Sequence, residues 1–388
     1  MTQVLQGLRV LELGQVFAGP FAGAILSDLG ANVIKVERVQ GGDDARRMGP
    51  AFVRGDALNF HVFNRGKESV ALDLKSQTGR DALARLLSQA DVFLHNLRPG
   101  VAEQLGVDAH TLTQQHPRLI YAEISAFGSP GPLSHQPGYE PLMQAFSGLS
   151  SLNGGEGDAP VRSATSLCDQ GSGMWLVIGI LSLLHRRHQT GRGGVVTTSL
   201  LETAMVWNAQ KSDALLNEGR LPERHRSGHP GFVPYEAFDA ADAPLVICCG
   251  NDRLFAKLAQ ALGHATWSSD ARFATNRQRL ANKQALLDFM QPILKQQTRA
   301  HWLALFEQTG VPAAPIHTLD EALAHPQCQA LELLAKVPQD DFQLTALPMR
   351  IDGVRPGPQG PAPALGESNC RHGIAAVSTH SHHDGDTP

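Results

Sequence analysis

The 388-residue sequence has no C-x-x-C pair, no G-x-G-x-x-G run and no excess of basic residues. Its five cysteines, Cys168, Cys248, Cys249, Cys328 and Cys370, are scattered and odd in number. That pattern argues against zinc ribbons and redox pairs and fits a reducing cytoplasm. Without the glycine fingerprint, nicotinamide binding has little support. Lys and Arg number 33 against 37 Asp and Glu, a net charge of -4. Proteins that bind nucleic acid generally neutralise its phosphates with a basic surplus, so no nucleic-acid partner is expected. Any phosphate ligand must meet a local cluster of cations. The longest apolar run, Met174 to Leu184, is too short to cross a bilayer. The start, MTQVLQGLRVLELG, lacks the basic and cleavable apolar parts of a secretory leader. No membrane partner is expected. His380, His382 and His383 lie in a polar stretch with no scaffold to hold a geometry, so no metal is expected.

What is present is enough to build a sizeable core: 42% of residues are hydrophobic and 18% charged, over a length that suits two domains. LRVLEL, NVIKVER, SVALDL, DVFLHNL and LIYAEISAFG read as strands, with helical segments such as FAGAILSDLG and DALARLLSQA between them. This alternation predicts an α/β domain with a mainly parallel sheet. In such sheets ligands sit beyond the carboxyl ends of the strands, which points to loops at 14–20, 38–50, 72–76 and 96–100. A long helix is predicted from about Gly171 to Arg187, stopped by Gly191 and Gly193. After about Leu221 a Pro-, Gly- and His-rich segment leads into a smaller second domain, and the last residues, STHSHHDGDTP, read as a disordered tail.

Gly14–Pro20 joins a strand to a helix, a place that serves equally as a tight turn or a phosphate loop. Arg38, Lys75 and Arg98 each follow a strand, which puts three cations at the predicted ligand edge, and Arg38 stands where a ribose phosphate is often read. Asp169, in LCDQGSG, precedes the long apolar helix. A helix N-terminus favours an anion there, and an ordinary N-cap would look the same. The nearby Gly171 and Gly173 allow close approach of a substrate and are candidate oxyanion donors.

Taken together, LRVLELGQVFAGPFAGAILSDLGANVIKVER, GGDDARRMGP, NRGKESVALDLKSQTG, ADVFLHNLRPGVAEQLG, the PGYEPLMQ segment, the Asp169 helix through TGRGGVVTTSLLETA, and GNDRLFAKLAQALG resemble the class III CoA-transferases. That group contains formyl-CoA transferase, carnitine CoA-transferase and α-methylacyl-CoA racemase. The resemblance runs from about Leu8 to Glu367. It implies a Rossmann-like large domain (1–205, rejoined by 326–370), a linker (206–228), a small α/β domain (229–325), a tail (371–388) and an interlocked homodimer. It implies CoA transfer from an acyl-CoA to a free carboxylic acid, with coenzyme A as substrate and no permanently bound cofactor. Asp169 matches the family nucleophile, which passes through an aspartyl anhydride and an aspartyl-CoA thioester. Val16, Phe17, Ala18, Arg38, Leu72, Lys75, Asn96, Leu97 and Arg98 match the CoA site, with Tyr139 counted beside them. Gly228 and His229 fall where the family has a mobile loop.

Three departures stand out. Gln104 replaces a common Arg, Tyr139 stands where racemases carry a catalytic His, and ESNCRHG replaces the usual ending. Tyr139 favours transfer over racemisation, while an isomerase acting on acyl-CoA, a CoA-binding protein without activity and a nicotinamide oxidoreductase remain the competing readings.

Overall fold

The computed structural model describes residues 3–376. Strands β1 (Arg9–Leu13), β2 (Asn32–Glu37), β3 (Glu68–Ala71), β4 (Val92–His95), β5 (Ile120–Ser125) and β6 (Gly194–Ser199) form one parallel sheet, ordered β3-β2-β1-β4-β5-β6. The order reverses between β1 and β4, where doubly wound sheets open a ligand crevice at their carboxyl ends.

The strands are apolar on both faces because both are covered. Val10, Val33, Val92, Leu94 and Ile120 pack under α1 (Ala18–Asp28). Their neighbours along the strands, Leu11, Val36, Val70, Phe93 and Tyr121, pack under α2 (Gln77–Leu87). Helix α3 (Glu140–Phe146) precedes α4 (Leu167–Thr190), whose Leu176, Val177 and Ile180 join the first core beside α1.

Helix α4 starts four residues earlier than the sequence pattern suggests, so Asp169 lies inside its first turn. Gly191, at φ 71°, ends it in the left-handed conformation that glycine adopts without strain. By length and hydropathy this helix would suffice to cross a membrane, unlike the short apolar run within it. Here it packs into the core against α1 and carries the buried Asp169. Helix α5 (Leu200–Trp207) follows β6, and α6 (Ala209–Glu218) buries none of its residues.

The chain divides into two units. The larger holds residues up to 150, 162–214 and those from 331 onward; the smaller holds 151–161 and 215–330. The segment expected to be a linker, 206–228, therefore contains a helix, and a short excursion at 151–161 joins the smaller unit. Local sequence does not reveal the 151–161 excursion, because it depends on which unit that segment packs against.

In the smaller unit β7 (Tyr235–Asp239), β8 (Pro244–Cys248) and β9 (Ala313–Pro315) form an antiparallel sheet ordered β9-β8-β7. Its core includes Phe238, Leu245, Ile247, Phe255, Leu286 and Trp302. Two residues expected in the tail are anchored: Arg371 and His372 pair with Glu68 at 3.1 and 2.7 Å. The histidine-rich end from Ser378 lies outside the described residues.

Candidate active site

Because the sheet is parallel, the residues after β1, β2, β3 and β4 come to one edge, and most of the expected CoA residues lie there. Arg38 follows β2, is exposed, and donates to Asp44 Oδ1 at 2.7 Å and to the Gly42 carbonyl. Leu72 is buried after β3, and Lys75 is exposed. Arg98 is exposed after β4 and lines a cleft of about 630 Å³ with Leu97, His95, Glu123 and Glu202.

The Asn96–Arg98 turn is fixed from below. Burial holds His95 down to about 4, so its ring is neutral at physiological pH. Its Nδ1 accepts the Leu97 amide at 3.3 Å while Nε2 meets the Tyr121 hydroxyl at 2.5 Å. Asn96 spends its side-chain amide on the first loop: Oδ1 accepts the Gln15 amide at 2.7 Å and Nδ2 donates to the Gln15 carbonyl at 2.9 Å. These two bonds span the switch point between β1 and β4.

The first loop itself is unusual. Val16 has φ 65°, a conformation that a β-branched residue adopts only under constraint, at a cost of about 1–3 kcal/mol. Phe17 is the residue preceding α1 and packs edge-on to Phe63 at 4.8 Å, and Ala18 is buried at the helix start.

Asp169 comes to this loop through a helix crossing. One turn into α4, Gly173 has no room for a side chain: a Cβ would lie 3.0 Å from the Ala18 carbonyl and 3.2 Å from the Ala22 amide. The start of α4 is thereby held against the start of α1. Gly171 likewise faces Thr203 and Trp207, with a Cβ 2.6 and 2.8 Å from their side chains. Both glycines lie inside α4, where their amides serve the helix's own ladder. They are packing residues and not the oxyanion donors expected from the sequence.

Asp169 is 8% exposed, desolvated yet still touching solvent. Burial, and next the charge of Glu140, push its carboxyl up to about 7. The helix N-terminus opposes this by only ~0.3–1 kcal/mol, against the several kcal/mol that three pKa units represent, so desolvation wins. Glu140, the first residue of α3, is a site residue that the sequence reading does not single out. It is 4% exposed. Its Oε1 accepts from Gln144 Nε2 at 2.6 Å and from the Cys168 amide at 3.4 Å. Its Oε2 is buried and has no hydrogen-bond partner among the described residues. The signal available was a Glu next to the conspicuous Tyr139, at the start of an amphipathic segment containing Pro141. Tyr139 itself is 63% exposed.

His229 belongs to the smaller unit. It packs on Phe232 and Tyr235, at 4.9 and 5.3 Å between ring centres, and its Nδ1 accepts the Gly231 amide at 2.9 Å. Gln104 lies in the short helix Val101–Leu105. No group of three or more His, Cys, Asp or Glu suited to a metal ion occurs among the described residues.

A desolvated carboxylate near the carboxyl edge of a doubly wound sheet is a candidate catalytic group. Residues 5–369 match the model of CoA-transferase family III. The chain is 38% identical to the acetyl-CoA:oxalate CoA-transferase of Acetobacter aceti, over 93% of this chain and 92% of that one. It is 34% identical to the succinate–glutarate CoA-transferase of Agrobacterium fabrum, over 94% and 93%. A crystal structure of a CAIB/BAIF family protein from Brucella suis superposes with a TM-score of 0.87 at 35% identity, covering 95% of this chain and 97% of that one. The chain belongs to CoA-transferase family III and is an enzyme of the CoA-transferase class.

Proposed function

We propose that this enzyme moves coenzyme A from a short acyl-CoA to a free carboxylic acid by covalent catalysis at Asp169. The Asp169 carboxylate attacks the thioester carbonyl and expels CoA thiolate, leaving a mixed anhydride. The thiolate then attacks the aspartyl carbonyl of that anhydride, releasing the donor acid and forming an aspartyl-CoA thioester. The acceptor carboxylate attacks this thioester, and the same two steps run in reverse to give the new acyl-CoA and free Asp169. Each step exchanges one acyl bond for another, so the thioester's energy is retained. The observation that carries the reading is the burial of Asp169 in the first turn of α4, the helix whose Gly173 abuts Ala18 at the start of α1. A poorly hydrated carboxylate gives up little solvation when it attacks.

Coenzyme A is the substrate of this reading, with its phosphates assigned to Arg38, Lys75 and Arg98 and its pantetheine arm to the Val16–Ala18 loop, Leu72, Asn96 and Leu97. The exposed cations follow β2, β3 and β4 at the same edge of the sheet, which supports that assignment. The acids are short, and dicarboxylic acids are among them, as the named substrates of the two relatives suggest.

A second copy of the chain is assigned to the apolar face formed by Met174, Trp175, Ile178 and Leu181 of α4 with Met205, Val206 and Trp207 of α5. All seven are exposed in the single chain, and Trp175 and Trp207 are 6.3 Å apart. A contiguous apolar face of this kind marks an interface. The free cysteines fit a cytoplasmic setting.

The test is an exchange assay. Acetyl-CoA and succinyl-CoA are each offered to isotopically labelled oxalate and glutarate, and label entering acyl-CoA is read by mass spectrometry. Asp169→Ala should abolish exchange, and the wild type should yield an Asp169–CoA adduct. Exchange that survives in Asp169→Ala removes this residue from the mechanism.

A further inference from the structure

The loop from Gly14 to Pro20 is gripped by buried charges that the reaction itself does not use. Lys35 Nζ donates to the Gly14 carbonyl at 2.7 Å and pairs with Glu12 at 3.2 Å and Asp43 at 2.8 Å. Asp43 Oδ1 accepts the Val16 amide at 3.0 Å. Lys67 Nζ pairs with Glu12 at 2.8 Å and donates to the Pro20 carbonyl at 2.9 Å. The side chains of Glu12, Lys35 and Lys67 are 0% exposed, and that of Asp43 is 1% exposed. Gly23 makes room for the set, since a Cβ there would collide with Glu12 Oε2.

Two lysines and two carboxylates thus form a closed, neutral cluster drawn from β1, β2 and two loops. Buried ion pairs contribute little net stability, and apolar replacements of similar volume often do as well. What apolar residues cannot do is hold the amide and carbonyl groups of a loop. Here two backbone atoms of the loop, Gly14 O and Val16 N, and one in the first turn of α1, Pro20 O, end on members of the cluster. The residue whose amide Asp43 takes is Val16, the one in the disfavoured left-handed conformation.

We propose that Asp43, backed by Lys35 and Glu12, is a positioning residue for acyl-CoA: it holds Val16 in its strained conformation and so fixes the loop that precedes α1. This rests on the assignment of that loop to coenzyme A. Asparagine at 43 cannot substitute. An Oδ1 that accepts the Val16 amide turns the Nδ2 donor toward the Lys35 ammonium, and the opposite rotamer turns it toward the amide. Glycine at 16 takes the left-handed conformation freely, so it removes the need for the grip.

The experiment is a double-mutant cycle on the full-length enzyme. Wild type, Asp43→Asn, Val16→Gly and the double variant are assayed with acetyl-CoA or succinyl-CoA as donor and oxalate or glutarate as acceptor. Binding of coenzyme A is measured by calorimetry. Asp43→Asn should raise KM for the acyl-CoA about tenfold, as the strained loop relaxes away from its binding shape. The KM of the acceptor acid should stay unchanged. In the Val16→Gly background, the same Asp43→Asn change should raise the acyl-CoA KM less than about twofold.

An equal effect of Asp43→Asn in the wild-type and Val16→Gly backgrounds, a rise in both KM values together, or no rise at all overturns the proposal. If Asp43→Asn alone does not fold, a folded double variant supports the grip and an unfolded one sinks it. Wild-type protein that fails to bind coenzyme A removes the CoA-site reading itself. Wild-type binding matched by unchanged binding in Asp43→Asn removes only the role of Asp43.

Discussion

Glu140 Oε1 accepts the backbone amide of Cys168 at 3.4 Å, tying one buried carboxylate to the residue immediately before the other. The pair Glu140 and Asp169 is therefore held by backbone as well as by packing, and burial followed by the Glu140 charge brings Asp169 to about 7. Attack on a thioester requires the carboxylate anion. The rate at low acyl-CoA concentration should accordingly rise through roughly pH 7 and level off above it. Glu140→Gln keeps the desolvation and removes the repelling charge, so its midpoint should fall by about one unit. A pH–rate profile of the two proteins checks this, and identical midpoints would show that Glu140 does not act on Asp169.

The same shift makes Asp169 a cost to folding. Its carboxyl holds a proton more tightly in the folded chain, at about 7, than at its ordinary value of 3.8. The folded state therefore binds more protons between those values, and stability falls as pH rises from about 4 to 7. Asp169→Asn removes the penalty. It should be inactive yet more stable than wild type at pH 8, by about 2–4 kcal/mol, and no more stable near pH 4. Urea unfolding at the two pH values measures this, and a variant less stable than wild type at pH 8 would refute it.

Much of this was legible in the sequence because parallel α/β folds write themselves locally. Covered strands are apolar runs, and the crossover helices alternate with them, so loops such as Gly14–Pro20 and Asn96–Gly100 fall on one edge by pattern alone. Asp169 stood out by resemblance, although the helix that holds it starts earlier than the pattern suggests. The electrostatic interior was not. Glu12 and Lys35 are polar residues interrupting the apolar runs LRVLEL and NVIKVER, and nothing local shows that they meet each other and Asp43. The roles of Gly171 and Gly173 depend on which helices cross them, which is tertiary information. Asn96 reads as a ligand-facing residue, yet its side-chain amide is committed to Gln15, beyond the neighbouring strand and 81 residues away in the chain.

The exposed face of α4 and α5 gives a prediction about assembly. Trp175 and Ile178 are 39% and 51% exposed, and Trp207 47%, so charges placed there should cost the single chain little. Trp175→Glu combined with Ile178→Asp should convert a dimer into a species of one chain's mass in sedimentation experiments at micromolar concentration. A wild type that sediments as a monomer, or a variant that remains dimeric, would separate this face from assembly.

The helix crossing that delivers Asp169 can be tested at a single atom. Ala at 173 puts a methyl 2.9 Å from Phe21 Cδ1, 3.0 Å from the Ala18 carbonyl and 3.2 Å from the Ala22 amide. Two of those neighbours are backbone and cannot rotate away, so α1 and α4 must separate. The separation carries the Val16–Ala18 loop away from Asp169. Overpacking of this kind costs about 1–3 kcal/mol, and a shift near 1 Å in a reacting group lowers the rate by about a hundredfold. Ala at 171 has side chains, of Thr203 and Trp207, as its nearest neighbours, and side chains have rotamers to yield. Gly173→Ala should therefore lose far more kcat than Gly171→Ala, even at a temperature where both are fully folded. Equal kcat losses would mean that the approach of α4 to α1 does not set the position of the nucleophile.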